Sequence, residues 1–175
     1  GLCYEGLPWF TGAAVLSAGV PSFEIVTIAI LYAFGAHGIM TLNDFKALVN
    51  KAHELGMYVI IDWVANHSSP DNVWLEEGHL DWYTLDSTGN VQPTIGTDWW
   101  DVADLNYDNP AMRSEMIKSM KYWLTDANID GFRCDVAGGV PVDLWEEARI
   151  QLEKIRPDIG MLAESNCPED FDKGI

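Results

Sequence analysis

Asp62-Trp63-Val64-Ala65-Asn66-His67 and Gly131-Phe132-Arg133-Cys134-Asp135 are the two stretches that decide the fold. The first continues the apolar run Met57-Tyr58-Val59-Ile60-Ile61, and the second lies within another over residues 129–136. Apolar runs of this length read as strands buried on both faces. A third run, residues 159–163, ends in Glu164. Three strands therefore deliver Asp, Arg, Asp and Glu from one set of ends. That is the layout of a catalytic face on a parallel α/β sheet or barrel.

The segments between these runs have helical periodicity. Thr41 with Asp44 resembles a capping box. Phe45, Leu48, Val49, Ala52 and Leu55 then recur at helical spacing, and Gly56 is a natural stop. Asn109-Pro110 opens a second helix with Pro at its first position, and Met116, Met120, Trp123, Leu124 and Ala127 mark its buried stripe. A third helix over 142–156 places Leu144, Trp145, Ala148, Leu152 and Ile155 on one face, before Pro157. This order predicts parallel strands joined by helical crossovers. Residues 65–108 show no such period, and a connection that long points to a functional excursion.

The chain has 175 residues, enough for one domain with a core. Ten basic against 27 acidic residues give a net charge of −17. That argues against nucleic acid and anionic membrane surfaces, which need clustered Lys and Arg. Cys3, Cys134 and Cys167 suggest neither a disulfide framework nor a zinc site. No signal peptide is visible. Residues 1–40 stand apart from 41–175: from Gly12 to Met40 the one acidic or basic residue is Glu24. The apolar run over 25–34 is too short to span a bilayer, and residues 25–31 read as a possible buried strand.

Side chains alternate along a strand, so Arg133 and Asp135 share a face. A cation there holds the carboxylate ionised. Glu164, at the end of the next strand, should be a spatial neighbour of Asp135. Two carboxylates in different environments, one paired with arginine and one not, suit a nucleophile and a general acid. Asn66 and Asp104 offer oxygen ligands from two loops, which suits calcium, although Asp62 and Asn66 read equally as turn or cap residues. His67 is a candidate ligand-contacting imidazole. Trp74, Trp82, Tyr83, Trp99 and Trp100 could stack on sugar rings, though for most of them a small core within the loop is the simpler reading.

These residues resemble the α-amylase family of glycoside hydrolases. Asp62 to His67 is similar to its signature Asp-x-x-x-Asn-His, and Gly131 to Asp135 to Gly-Phe-Arg-x-Asp. Ala163-Glu164 sits where the third signature places its Glu, and Asp101-Val-Ala-Asp104-Leu-Asn106 resembles a further signature in the long third loop. The resemblance covers roughly residues 40–170. It implies part of a (β/α)8 TIM barrel, from about the third to the fifth βα unit, and retaining cleavage or transfer at α-glucosidic bonds of starch-like glucans. By that resemblance Asp135 is the nucleophile, Glu164 the acid and then the base, and Arg133 the support of Asp135. Asp62 helps hold that pair, His67 contacts the sugar, and Asn66 and Asp104 match calcium-binding positions. The two carboxyls are expected about 5–5.5 Å apart. An extracellular or periplasmic site follows from the polysaccharide substrate alone.

Three departures accompany the match. The family's third carboxylate, in an Asn-His-Asp signature, has no counterpart up to Ile175. Gly138-Gly139 stands where many α-amylases have Lys-His, which leaves room for α-1,6 cleavage or transglycosylation. Residues 1–36 do not resemble the first two barrel units, and a frame change or a join would explain the abrupt shift in composition. Since such a barrel takes about 250 residues, the expectation is a central part of the catalytic barrel, inactive alone. The competing readings are a transglycosidase or isomerase of the same fold, a non-catalytic glycan- or partner-binding relative, and a calcium-dependent structural module.

Overall fold

The computed structural model describes residues 41–165 throughout, and the backbone alone of residues 14–18 and 25–28. Helix α1 (Leu42–Glu54) begins where the sequence places it. The Thr41 side chain accepts from the Asp44 N–H, and the Asp44 carboxylate accepts from the Thr41 N–H, closing the capping box. Phe45, Val49 and Ala52 are its buried residues. Gly56, at φ +76°, turns the chain out of the helix into β3 (Met57–Val64).

After β3 the chain enters the long excursion. It holds a two-residue ladder of β4 (His67–Ser68) and β5 (Ala103–Asp104), and the single-turn helix α2 (Val73–Glu76). Helix α3 (Pro110–Asp126) follows, capped by Asn109, whose side chain accepts from the Ala111 and Met112 N–H groups. Strand β6 (Gly131–Asp135), helix α4 (Val142–Leu152) and strand β7 (Gly160–Ala163) complete two crossover units. Helix α4 stops at Leu152, short of residue 156, because the chain turns after it. Ile155 is consequently 39% exposed rather than part of the buried face.

Strands β3, β6 and β7 are parallel neighbours, as the α-β-α-β order requires. Val59, Ile61 and Trp63 of β3 and Phe132 and Cys134 of β6 are buried among α1, α3 and α4. Phe45 meets Trp123 edge-on at 5.6 Å, and Trp63 meets Phe132 at 5.5 Å. These residues form one core that turns the opposite strand faces toward the barrel interior.

The other edge of the sheet is built differently. Strands β1 (Ala14–Ala18) and β2 (Ile25–Ile28) form an antiparallel hairpin, and β1 runs antiparallel to β3. The sheet order is therefore β2-β1-β3-β6-β7, mixed rather than all parallel. The six residues between β1 and β2 are too few for the helical crossover that parallel neighbours need. The strand expected over 25–31 is present over Ile25–Ile28, and residues 29–31 lie outside the described residues.

The lower ends of the three parallel strands are held by one buried carboxylate. Asp130 accepts from the Val59 N–H at 2.6 Å and from Arg156 Nη1 at 2.9 Å, and lies 2.8 Å from His53 Nε2. Its backbone carbonyl accepts from Gly160 N–H at 2.9 Å. Above it Gly131 and Gly160 pass so closely that a Cβ on Gly131 would lie 1.9 Å from the Gly160 oxygen. Glycine at 131 is thus a condition of the β6–β7 register. Among the described residues no helix is long and apolar enough to cross a membrane.

Candidate active site

The parallel register determines what meets at the upper strand ends. Asp62 lies beside Arg133, Val64 beside Asp135, and Arg133 beside Leu162. Arg133 therefore projects from the central strand of three, with a carboxylate to each side. Its Nη1 donates to Asp62 Oδ1 at 2.8 Å and to Asp135 Oδ1 at 2.5 Å. Its Nη2 lies 2.8 Å from Glu164 Oε1. Burial works against the guanidinium's charge, but Asp62 and then Asp135 more than offset it and hold its pKa above the ordinary value.

Asp62, Arg133, Asp135 and Glu164 thus come together as the sequence suggests, with one correction. The two carboxylates are not divided into one paired with arginine and one unpaired. Arg133 engages both, because its planar fork presents two amino groups and Glu164 stands one strand over at the same height. Cys134, on the opposite face, has its thiol pushed up to about 12 by burial. That removes it from nucleophilic chemistry.

Glu164 is held by its backbone as well. Its N–H donates to the Cys134 carbonyl at 2.9 Å, its carbonyl accepts from Ala137 N–H at 3.0 Å, and its Oε2 accepts from Val136 N–H at 3.3 Å. Val136 adopts φ 47°, ψ 43°. A β-branched residue in this left-handed region is strained, by roughly 1–3 kcal/mol. Trp145 Nε1 donates to the Ala137 carbonyl at 3.1 Å in a buried contact that fixes the far side of the turn. This turn was not foreseen; Gly138-Gly139 was its one trace in the sequence.

The second cluster lies over the excursion. Asn66 is buried, and its Nδ2 donates to Thr94 Oγ1 at 3.2 Å and to His67 Nδ1 at 3.3 Å. Its Oδ1 faces Gly139, where a Cβ would come within 2.2 Å. Asp104 pairs with His67 across the β4–β5 ladder. His67 packs against Trp99, with ring centroids 5.1 Å apart. Burial lowers its pKa, and Asp135, Asp104 and Asp101 oppose that only in part. Trp82 and Tyr83 are buried and belong to the excursion's own core, with Trp74 edge-on to Trp82 at 5.2 Å. Trp100 is 84% exposed. The loop also hangs on the barrel through Tyr107, whose hydroxyl donates to the Ala65 carbonyl at 2.5 Å and is driven up in pKa by burial. Among the described residues no three His, Cys, Asp or Glu side chains cluster as a metal site.

Residues 34–170 match the family model of the alpha amylase catalytic domain. The chain belongs to this family. Alpha-amylase 3 of Dictyoglomus thermophilum is 30% identical over 151 residues, covering 73% of this chain and 30% of that protein. The solved structure of the maltogenic alpha-amylase AmyB from Thermotoga neapolitana superposes with a TM-score of 0.69 at 40% identity, covering 77% of this chain and 31% of that one. The fold is accordingly part of a (β/α)8 barrel. The Bacteriochlorophyll synthase 33 kDa chain of Cereibacter sphaeroides is 92% identical over 47 residues, 27% of this chain and 16% of that protein. The chain spans about a third or less of the length of each of these relatives.

The titration of His67 tests the site's electrostatics. Folding holds its pKa below 6.5, so the unfolded chain takes up a proton first as pH falls. The stability this contributes is complete above about 6.5 and is lost as pH drops through the depressed value. An NMR titration should place the imidazole midpoint below 6.5, and Asp135→Asn should move it lower still. A midpoint at or above 6.5 would contradict the burial seen here.

Proposed function

We propose that this chain carries the nucleophile and acid/base of a retaining glycoside hydrolase that cleaves α-glucosidic bonds in starch-like glucans. The observation that carries this reading is Arg133 holding Asp62, Asp135 and Glu164 together at three parallel strand ends. Family membership supports it, since two carboxylates side by side suit the retaining pathway. In it, an Asp135 oxygen attacks the anomeric carbon while Glu164 gives its proton to the departing glycosidic oxygen. The glycosyl–Asp135 ester then yields to water, whose proton Glu164 takes. Arg133 donates to Asp135 Oδ1 and orients it for the attack. A general acid must carry a proton, so the Arg133–Glu164 contact has to open before donation. Asp62 anchors Arg133 from the other side, and His67 with Trp99 offers a partly buried surface for the sugar.

A purely binding role has no use for both Asp135 and Glu164, which counts against a non-catalytic relative. Transfer to a sugar instead of water uses the same four residues, and product analysis separates the two. In the full-length protein, Asp135→Asn should lower kcat by roughly four orders of magnitude or more while maltooligosaccharide binding persists. Unchanged turnover would remove Asp135 from the nucleophile's role.

Calcium is part of the same proposal. Both Asn66 amide hydrogens are committed to neighbours, which leaves its carbonyl oxygen for a cation, and Asp104 lies across the adjacent ladder. An ion held there, completed by further oxygens, would tie the excursion to the barrel. Chelation should lower the melting temperature by several degrees, as loss of a ligand bound only by the native state requires. No shift, with no calcium by elemental analysis, would end this part.

A further inference from the structure

Val136 is the residue that follows the nucleophile, and its backbone conformation is the one least suited to its side chain. Its left-handed turn brings two successive N–H groups, its own and that of Ala137, onto Glu164, one to the carboxylate and one to the carbonyl. The buried Trp145 indole secures the turn from behind. Strain of this kind persists where the surroundings over-determine it. We infer that Val136 is a positioning residue for Glu164, acting through the backbone hydrogen bonds its left-handed turn creates. This rests on the reading of Glu164 as the general acid. Val136→Pro fixes φ near −65° and removes the N–H. Trp145→Phe leaves a buried ring but no indole donor, and serves where the proline variant does not fold. In the full-length protein, either change should lower kcat on maltooligosaccharides about tenfold or more, with KM little changed. Their leaving group needs the acid. Hydrolysis of α-glucosyl fluoride, whose leaving group needs little protonation, should fall far less. Glu164→Gln is run alongside. If it shows the same split between substrates and the folded positioning variants do not, the inference is overturned. If Glu164→Gln itself leaves maltooligosaccharide turnover intact, the reading of Glu164 as acid fails instead.

A different set of observations concerns the residues before α1. The segment Gly12 to Met40 is nearly free of charge in a chain of net −17. The amylase match begins at residue 34. A 47-residue match at 92% identity to a bacteriochlorophyll synthase chain fits only this end, because the remainder carries the amylase signatures. The backbone agrees: where a barrel requires a parallel neighbour of β3, β1 runs antiparallel. We propose that residues up to a junction shortly before or within α1 are encoded by a separate gene from the barrel. Independent long reads of the source DNA across codons 25–54 should never run continuously in frame. Reads upstream of the junction should continue into a synthase gene, and reads downstream should extend back into parallel βα units. Continuous in-frame reads, together with a proteolytic peptide spanning Ile25 to Glu54 in the native protein, would overturn this.

Discussion

One guanidinium holds the upper face of this sheet together. Arg133 meets Asp62, Asp135 and Glu164 within 2.8 Å, from three adjacent strands. Three carboxylates gathered there repel one another, and among the described residues Arg133 pairs with all three. Lysine could not replace Arg133, because a single ammonium lacks the two-armed fork that reaches both flanking strands. The contact also depends on register. A one-residue slip would send Arg133 to the helix-facing side and turn Phe132 and Cys134 out of the core. Register is set at the opposite ends of the same strands, where Asp130 ties Val59, Gly160 and Arg156 and where Gly131 allows β6 and β7 to close. The network at the lower end thus aligns the charges at the upper end.

The same arginine meets both carboxylates of the proposed pair. It engages both in ion pairs, so the arginine alone does not set them apart. What distinguishes Glu164 is the remainder of its surroundings. It is the more exposed of the two, at 52% against 24% for Asp135, and it is gripped by the Val136–Ala137 turn as well as by Arg133. Loss of the arginine contact therefore leaves Glu164 placed by backbone donors, whereas Asp135 has no comparable second hold among the described residues.

Legibility in the sequence followed the range of the interactions. The Thr41–Asp44 box, the Asn109-Pro110 cap and the strand runs depend on residues three or four apart, and each was readable. The grouping of Asp62, Arg133, Asp135 and Glu164 was readable because strand alternation and parallel order place them without knowledge of contacts. The Arg133–Glu164 pair was not, since it depends on register between strands separated by a whole helix. The left-handed turn at Val136 was hidden because a β-branched side chain argues against that conformation. Strand direction at β1 was equally hidden: an apolar run predicts burial, not orientation. Pro157 suggested a helix up to 156, but the last turn of α4 unwinds earlier and leaves Ile155 at the surface.

The glycine pair after the nucleophile links the two clusters of the site. Gly139 is not required by its backbone angle; it is required by space, since a Cβ there would lie 2.2 Å from Asn66 Oδ1 and 3.3 Å from Val136 Cγ1. Asn66 is therefore packed against the turn that positions Glu164, and through its amide it also holds Thr94 and His67. Any side chain at 139 would push at once on the loop that holds His67 and on the turn that holds Glu164. The turn after β6 and the start of the excursion are thus packed as one unit, and a change in either would require both to move together.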